Sequence, residues 1–163
     1  MPVRAGTPVT REVVGSRPPT STQALLALLR KQIGVREILM GSNRGPEVDA
    51  YNAAAKTPMG SPWCAAVRAW ANLKVGMPVP EGAAYSPGWF PKSRRVASPR
   101  PGDAGGVYFP SKGRIAHLVT VEEVRRTDVV TLEGNTNAQG SREGDQFARR
   151  VRGKDALSYA RWE

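Results

Sequence analysis

"RIAHLVTVEEVRRTDVVTLEGNT", residues 114–136, decides the fold class. It holds two runs, 114–124 and 128–136, rich in Val, Ile and Thr and separated by turn-forming residues, which is how neighbouring strands read in a sequence. "PGDAGGVYF" at 101–109 and "FARRVR" at 147–152 have the same character, so the chain from Pro101 onward reads as an antiparallel sheet. Upstream the period changes. "TSTQALLALLRKQIG", residues 20–34, opens with Thr20 and Gln23 in capping-box spacing and puts Leu25, Leu26, Leu29 and Ile33 on one helical face, with Gly34 placed to end the helix. Helices first and strands later is the α+β pattern, with N-terminal helices packed on one face of a C-terminal antiparallel β-sheet.

Between these parts lie a turn-rich segment around "GSNRGP" (41–46), a short helix from Glu47 toward Ala55, and a Pro- and Gly-rich stretch over 76–100 that carries Tyr85, Trp89 and Phe90. That last stretch reads as an irregular loop of the length that often carries function. Residues 1–19, rich in Pro, Gly and Thr and without periodicity, read as a flexible leader, and 20–163 as a single domain. The leader has no apolar core of the signal-peptide kind, and the longest apolar run, "ALLALL" at 24–29, is far short of the roughly 20 residues that cross a bilayer. The expectation is a soluble, monomeric protein without a transmembrane segment. A formal net charge of +10 favours polyanionic partners, among them nucleic acid, anionic lipid and acidic cell-wall polymers, without choosing between them.

The chain has one cysteine, in "GSPWCAA" at 60–66, so no internal disulfide can form. Ser61 is placed to cap a helix that starts at Pro62, which puts Cys64 in the first turn, where unpaired backbone N–H groups and the helix dipole favour a thiolate. Trp63, Val67, Trp70 and Ala71 recur at helical spacing and read as the core side of that helix, with Cys64 one position round at the rim. His117, the only histidine, lies in the middle of a predicted strand, and Glu133 ends the next one, with Asn135 two residues on and on the same face by strand alternation. A thiol at a helix start, an imidazole and an acid or amide supply a nucleophile, a base and an orienting group.

From Gly34 to Arg152 the chain resembles the CHAP domain (cysteine, histidine-dependent amidohydrolase/peptidase) of the papain-like cell-wall hydrolases, of the kind found in phage endolysins. The residues that carry the resemblance are "GVRE" (34–37), "GSNRGPEVDAY" (41–51), "PWCAA" (62–66) with Trp70, "RPGD" (100–103), "AHLVTV" (116–121) and "EGNTNAQGSREGD" (133–145) followed by "RRVR". Their order and spacing are more specific than any one of them. The resemblance implies a papain-like fold, with Cys64 as nucleophile, His117 as general base, Glu133 as the group that orients the imidazole and Asn135 as a polar residue close to it. Asn43, Glu47, Trp63 and Trp89 are the residues expected to meet substrate.

The resemblance further implies peptidoglycan as the substrate, cut as an N-acetylmuramoyl-L-alanine amidase or an endopeptidase cuts it. The enzyme would act at the bacterial wall after holin-type release or delivery by a virion. Two departures stand out: Val67 occupies a position that is often aromatic in the family, and no acidic calcium-binding loop precedes the cysteine. "EVDAY" has too few clustered carboxylates for such a loop, and a lone Cys and a lone His fall short of a zinc set, so no metal or other cofactor is expected. Two readings from other classes stand beside the enzyme: a non-catalytic cell-wall-binding module on the same fold, and a nucleic-acid binder, which explains the charge but not the three residues.

Overall fold

The computed structural model describes residues 17–137 and 143–163; the expected leader falls largely outside them, and residues 17–19 are exposed and without regular structure. Helix α1 spans Ser21–Arg30, and its capping box is present on both sides: the Gln23 N–H donates to the Thr20 hydroxyl, and the Thr20 N–H donates to the Gln23 side chain. Leu25, Leu26 and Leu29 are buried as expected. Ile33 is not, at 41 % exposure. The helix stops at Arg30 and tightens, with the N–H groups of Gln32 and Ile33 reaching back three residues to Leu29 and Arg30, which rotates Ile33 off the buried face.

Helix α2 spans Pro46–Ala54, with Pro46 at its first position, and α3 spans Cys64–Lys74. The start of α3 corrects the sequence reading. Ser61 does not cap it, because its hydroxyl donates to the Pro58 carbonyl at 2.7 Å and accepts from Thr57 at 3.1 Å, closing the turn over 57–61. The helix begins two residues later than Pro62, so the cysteine is its first residue. Residues 76–100 are largely irregular, with single turns of 3₁₀ helix at Ser86–Trp89 and Lys92–Arg94 and a two-residue edge strand.

The sheet has six strands: β1 Arg95–Val96, β2 Ala104–Phe109, β3 Arg114–Val124, β4 Asp128–Thr136, β5 Gln146–Gly153 and β6 Leu157–Ala160. They lie in the order β1-β6-β2-β3-β4-β5, every pair antiparallel. The architecture is α+β. The larger core takes Leu25, Leu29, Val48 and Val67 from the helices, Trp63 from just before α3, and Leu118, Leu132 and Phe147 from one face of the sheet, while Val121, Val129 and Tyr159 form a smaller cluster on the other face. Gly134 sets how closely α3 seats on β4: a Cβ there would lie 2.7 Å from the Val67 Cγ1 and 2.9 Å from the Trp63 ring. Among the described residues no helix is long and apolar enough to cross a membrane.

A buried guanidinium pins α3 to the sheet. Arg68 is 1 % exposed; it donates to Asn72, to the Thr120 hydroxyl of β3 at 3.0 Å and to the Gly102 carbonyl at 2.8 Å. Asp103, also buried, accepts from the Arg100 N–H and pairs with Arg161. The "RPGD" turn is therefore structural in its contacts, holding the start of β2 to α3 and to the C-terminal end of the chain.

Candidate active site

The ladder between β3 and β4 runs from Val124↔Val129 to Thr120↔Leu132 and pairs no further. Beyond that point lie the sequence-predicted site residues His117 on β3 and Glu133 and Asn135 on β4, and the start of α3 brings Cys64 to the His117–Glu133 pair. His117 and Glu133 are fully buried, and the imidazole Nε2 lies 3.0 Å from the Glu133 Oε2. Glu133 is held in turn by the Thr131 hydroxyl at 2.6 Å and by a two-pronged contact from Arg152 of β5, Nε to Oε1 at 2.6 Å and Nη2 to Oε2 at 2.7 Å.

With Nε2 engaged by the carboxylate, Nδ1 is the ring nitrogen left for the thiol. It makes no well-aligned hydrogen bond in the resting site, yet thiol and imidazole stand close enough for each to shift the other's titration. Active-site hydrogen bonds are often loose until substrate is bound. Burial disfavours the Cys64 thiolate, but the adjacent His117 imidazole, the Leu118 backbone N–H and the Ser86 hydroxyl outweigh it and bring the thiol down to about 7. Burial likewise disfavours the imidazolium, and its interactions with Cys64 and Glu133 outweigh that and raise it to about 9. For Glu133 burial is overcome by Arg152 and His117, which hold the carboxyl down at about 2. Both shifts favour the charged forms of the pair, with the carboxylate behind the imidazole.

The thiol, only 6 % exposed, opens onto a cavity of about 230 Å³ whose walls include Thr57, Ser61, Tyr85, Ser86 and Arg114. Ser86 had no signal in the sequence beyond its place in the irregular loop; here its hydroxyl lies 3.8 Å from the Cys64 sulfur. Cys64 is the first residue of α3, so its backbone N–H has no acceptor within the helix and is available to a developing oxyanion.

Asn135 is buried two residues beyond Glu133, but the alternation that places both on one face does not hold: the register with β5 steps between Glu133 and Thr136, and Asn135 has φ +52°. The four residues expected to meet substrate do not line the cavity. Trp63 is fully buried, stacked on Tyr51, with its Nε1 donating to Glu37 at 3.0 Å. Trp89 is fully buried against Trp162, and its Nε1 donates to the Ala83 carbonyl. Both are core aromatics whose polar edges are satisfied inside the protein. Asn43 donates to the Gly60 carbonyl at 3.2 Å and so steadies the turn before the cysteine, while Glu47 is exposed on α2. Among the described residues no group of three or more His, Cys, Asp or Glu side chains is placed to hold a metal ion. No family model matches the chain, and no curated protein or solved structure matches it.

Proposed function

We propose that this protein is a cysteine-dependent peptidoglycan hydrolase, cleaving an amide bond in or beside the stem peptide of the bacterial cell wall. The observation that carries the reading is the buried grouping of Cys64, His117 and Glu133, of which Cys64 opens onto a cavity, with thiol lowered and imidazole raised. The substrate class rests on the resemblance of the cysteine, histidine and "EGNT" segments to the CHAP domain, a papain-like fold.

The chemistry follows from the residues. His117 Nδ1 takes the Cys64 proton, and the thiolate forms a C–S bond to the amide carbonyl, whose oxygen gains the electron pair and accepts from the Cys64 N–H. When the C–N bond breaks, the imidazolium gives its proton to the leaving amine. A water molecule then attacks the thioester as His117 takes its proton, the C–S bond breaks, and a carboxylic acid leaves with the thiolate restored. Glu133 keeps Nε2–H oriented and stabilises the imidazolium throughout.

The test is digestion of purified sacculi by wild type and by Cys64→Ala, with mass spectrometry of the released fragments. New amine and carboxyl ends made by wild type alone are expected, and their position separates amidase from endopeptidase cleavage. Sacculi of several wall chemotypes left intact by both proteins would sink the proposal in favour of a non-catalytic module.

A further inference from the structure

We propose that Arg114, backed by Tyr85, is a subsite for a carboxylate on the substrate peptide; this rests on reading the Cys64 cavity as a peptidoglycan hydrolase site. Three features meet at Arg114. It lines the same cavity as Cys64. Its guanidinium is fixed before any ligand arrives, lying 5.2 Å from the centre of the Tyr85 ring and donating through Nη1 to the Ile115 carbonyl at 3.0 Å. It has no carboxylate partner among the described residues, whereas Arg30 and Arg149 share Glu122, Arg152 holds Glu133 and Arg161 holds Asp103.

The backbone explains its aim. β3 pairs with β2 as Val107↔His117 and then Tyr108↔Ile115, so Ala116 is an extra residue on β3, between the imidazole and Arg114. A bulge of this kind re-aims the side chains beside it, and Ala116 and Arg114 both line the cavity. Tyr85, 55 % exposed at the same wall, has little part in the core; what it contacts is the guanidinium. A planar fork held on an aromatic face is matched to a two-oxygen anion. Arg114 and Cys64 line the same cavity, so a carboxylate held by Arg114 belongs to the same bound peptide as the scissile bond. Stem peptides carry such a group, the α-carboxylate of their D-glutamate, which some walls convert to a carboxamide.

The experiment compares cleavage of two muropeptides that differ only in that α-carboxylate or α-carboxamide, by wild type, Arg114→Gln, Arg114→Lys and Cys64→Ala. Wild type is expected to favour the carboxylate form by about ten- to hundredfold in kcat/KM, the scale of a charge-assisted two-pronged contact. Arg114→Gln should bring that ratio near one, and Arg114→Lys, a single-point charge, should retain part of it. Alkylation of Cys64 by iodoacetamide at the wild-type rate shows that the Gln variant keeps its folded site. Equal cleavage of both forms by wild type, with the ratio unmoved in Arg114→Gln and activity abolished in Cys64→Ala, would overturn the subsite and leave the hydrolase reading standing. Cleavage of neither form by wild type would overturn both.

Discussion

Arg152 grips Glu133 by both carboxylate oxygens, at 2.6 and 2.7 Å, with the Glu133 side chain fully buried and that of Arg152 17 % exposed. The pair joins β5 to the carboxylate that holds the imidazole, so it bears on stability and, on the proposed reading, on the chemistry as well. Removing one partner leaves a buried charge uncompensated, which costs about 3–5 kcal/mol. Arg152→Gln is therefore expected to lower the melting temperature and to raise the Glu133 pKa from about 2, weakening the imidazolium. The double variant Arg152→Gln with Glu133→Gln should recover part of the lost stability but none of the activity. A double-mutant cycle by urea unfolding, read beside turnover, checks both halves.

The pH profile follows from the two shifted groups. Below about 7 the Cys64 thiol is protonated and cannot attack; above about 9 His117 loses the proton that the leaving amine needs. Activity is expected to rise through about 7, hold, and fall through about 9. Iodoacetamide alkylation, which reports the thiolate alone, should share the acid limb and lack the alkaline fall. In Ser86→Ala, which removes a hydroxyl 3.8 Å from the sulfur that favours the thiolate, the alkylation midpoint should move to higher pH. An unmoved midpoint would assign the Ser86 contact no electrostatic part.

The sequence was readable where structure is local or chemistry is concentrated in one residue. Thr20 and Gln23 act on each other three residues apart, and both sides of their box are made. The lone Cys and lone His limited the choice of nucleophile and base to one each. Arg152 was not readable: it is one of 24 Lys and Arg, and on β5 it stands opposite Val129 of β4, reaching Glu133 only along the sheet. Ser86 approaches Cys64 only through tertiary packing. Strands β1 and β6, two and four residues long, are too short to show alternation. Trp63 and Trp89, expected at substrate, sit in the core: a one-dimensional pattern does not separate a buried aromatic whose N–H is satisfied inside from one that meets a ligand.

Gly134 offers a direct test of how α3 is seated. Its missing side chain leaves room for Val67 and Trp63, the latter one residue before Cys64. Gly134→Ala should cost about 1–3 kcal/mol by overpacking. Because the displaced group adjoins Cys64, alkylation of the thiol at fixed pH should slow in the protein that remains folded. Val67→Ala opens space at the same contact, and combining it with Gly134→Ala should restore part of the alkylation rate. Additive losses in the double variant would show that the Val67 contact does not transmit the strain.

The net charge of +10 bears on the polymer more than on the chemistry. Lys92, Arg95, Arg100, Lys112 and Arg126 are exposed and have no carboxylate partner among the described residues, so their field reaches solvent. Such a field concentrates an anionic surface around the protein but falls away within the Debye length, about 8 Å at 0.15 M salt. If envelope polymers are what it attracts, digestion of whole sacculi should drop by roughly tenfold or more between 50 and 500 mM salt, the lower end of electrostatic steering. Cleavage of a small soluble muropeptide over the same range should change far less, since only the short-range contacts of the cavity act on it. Equal salt dependence for sacculus and muropeptide would place the electrostatic effect in the cavity, and flat curves for both would leave the basic surface no part in reaching the wall.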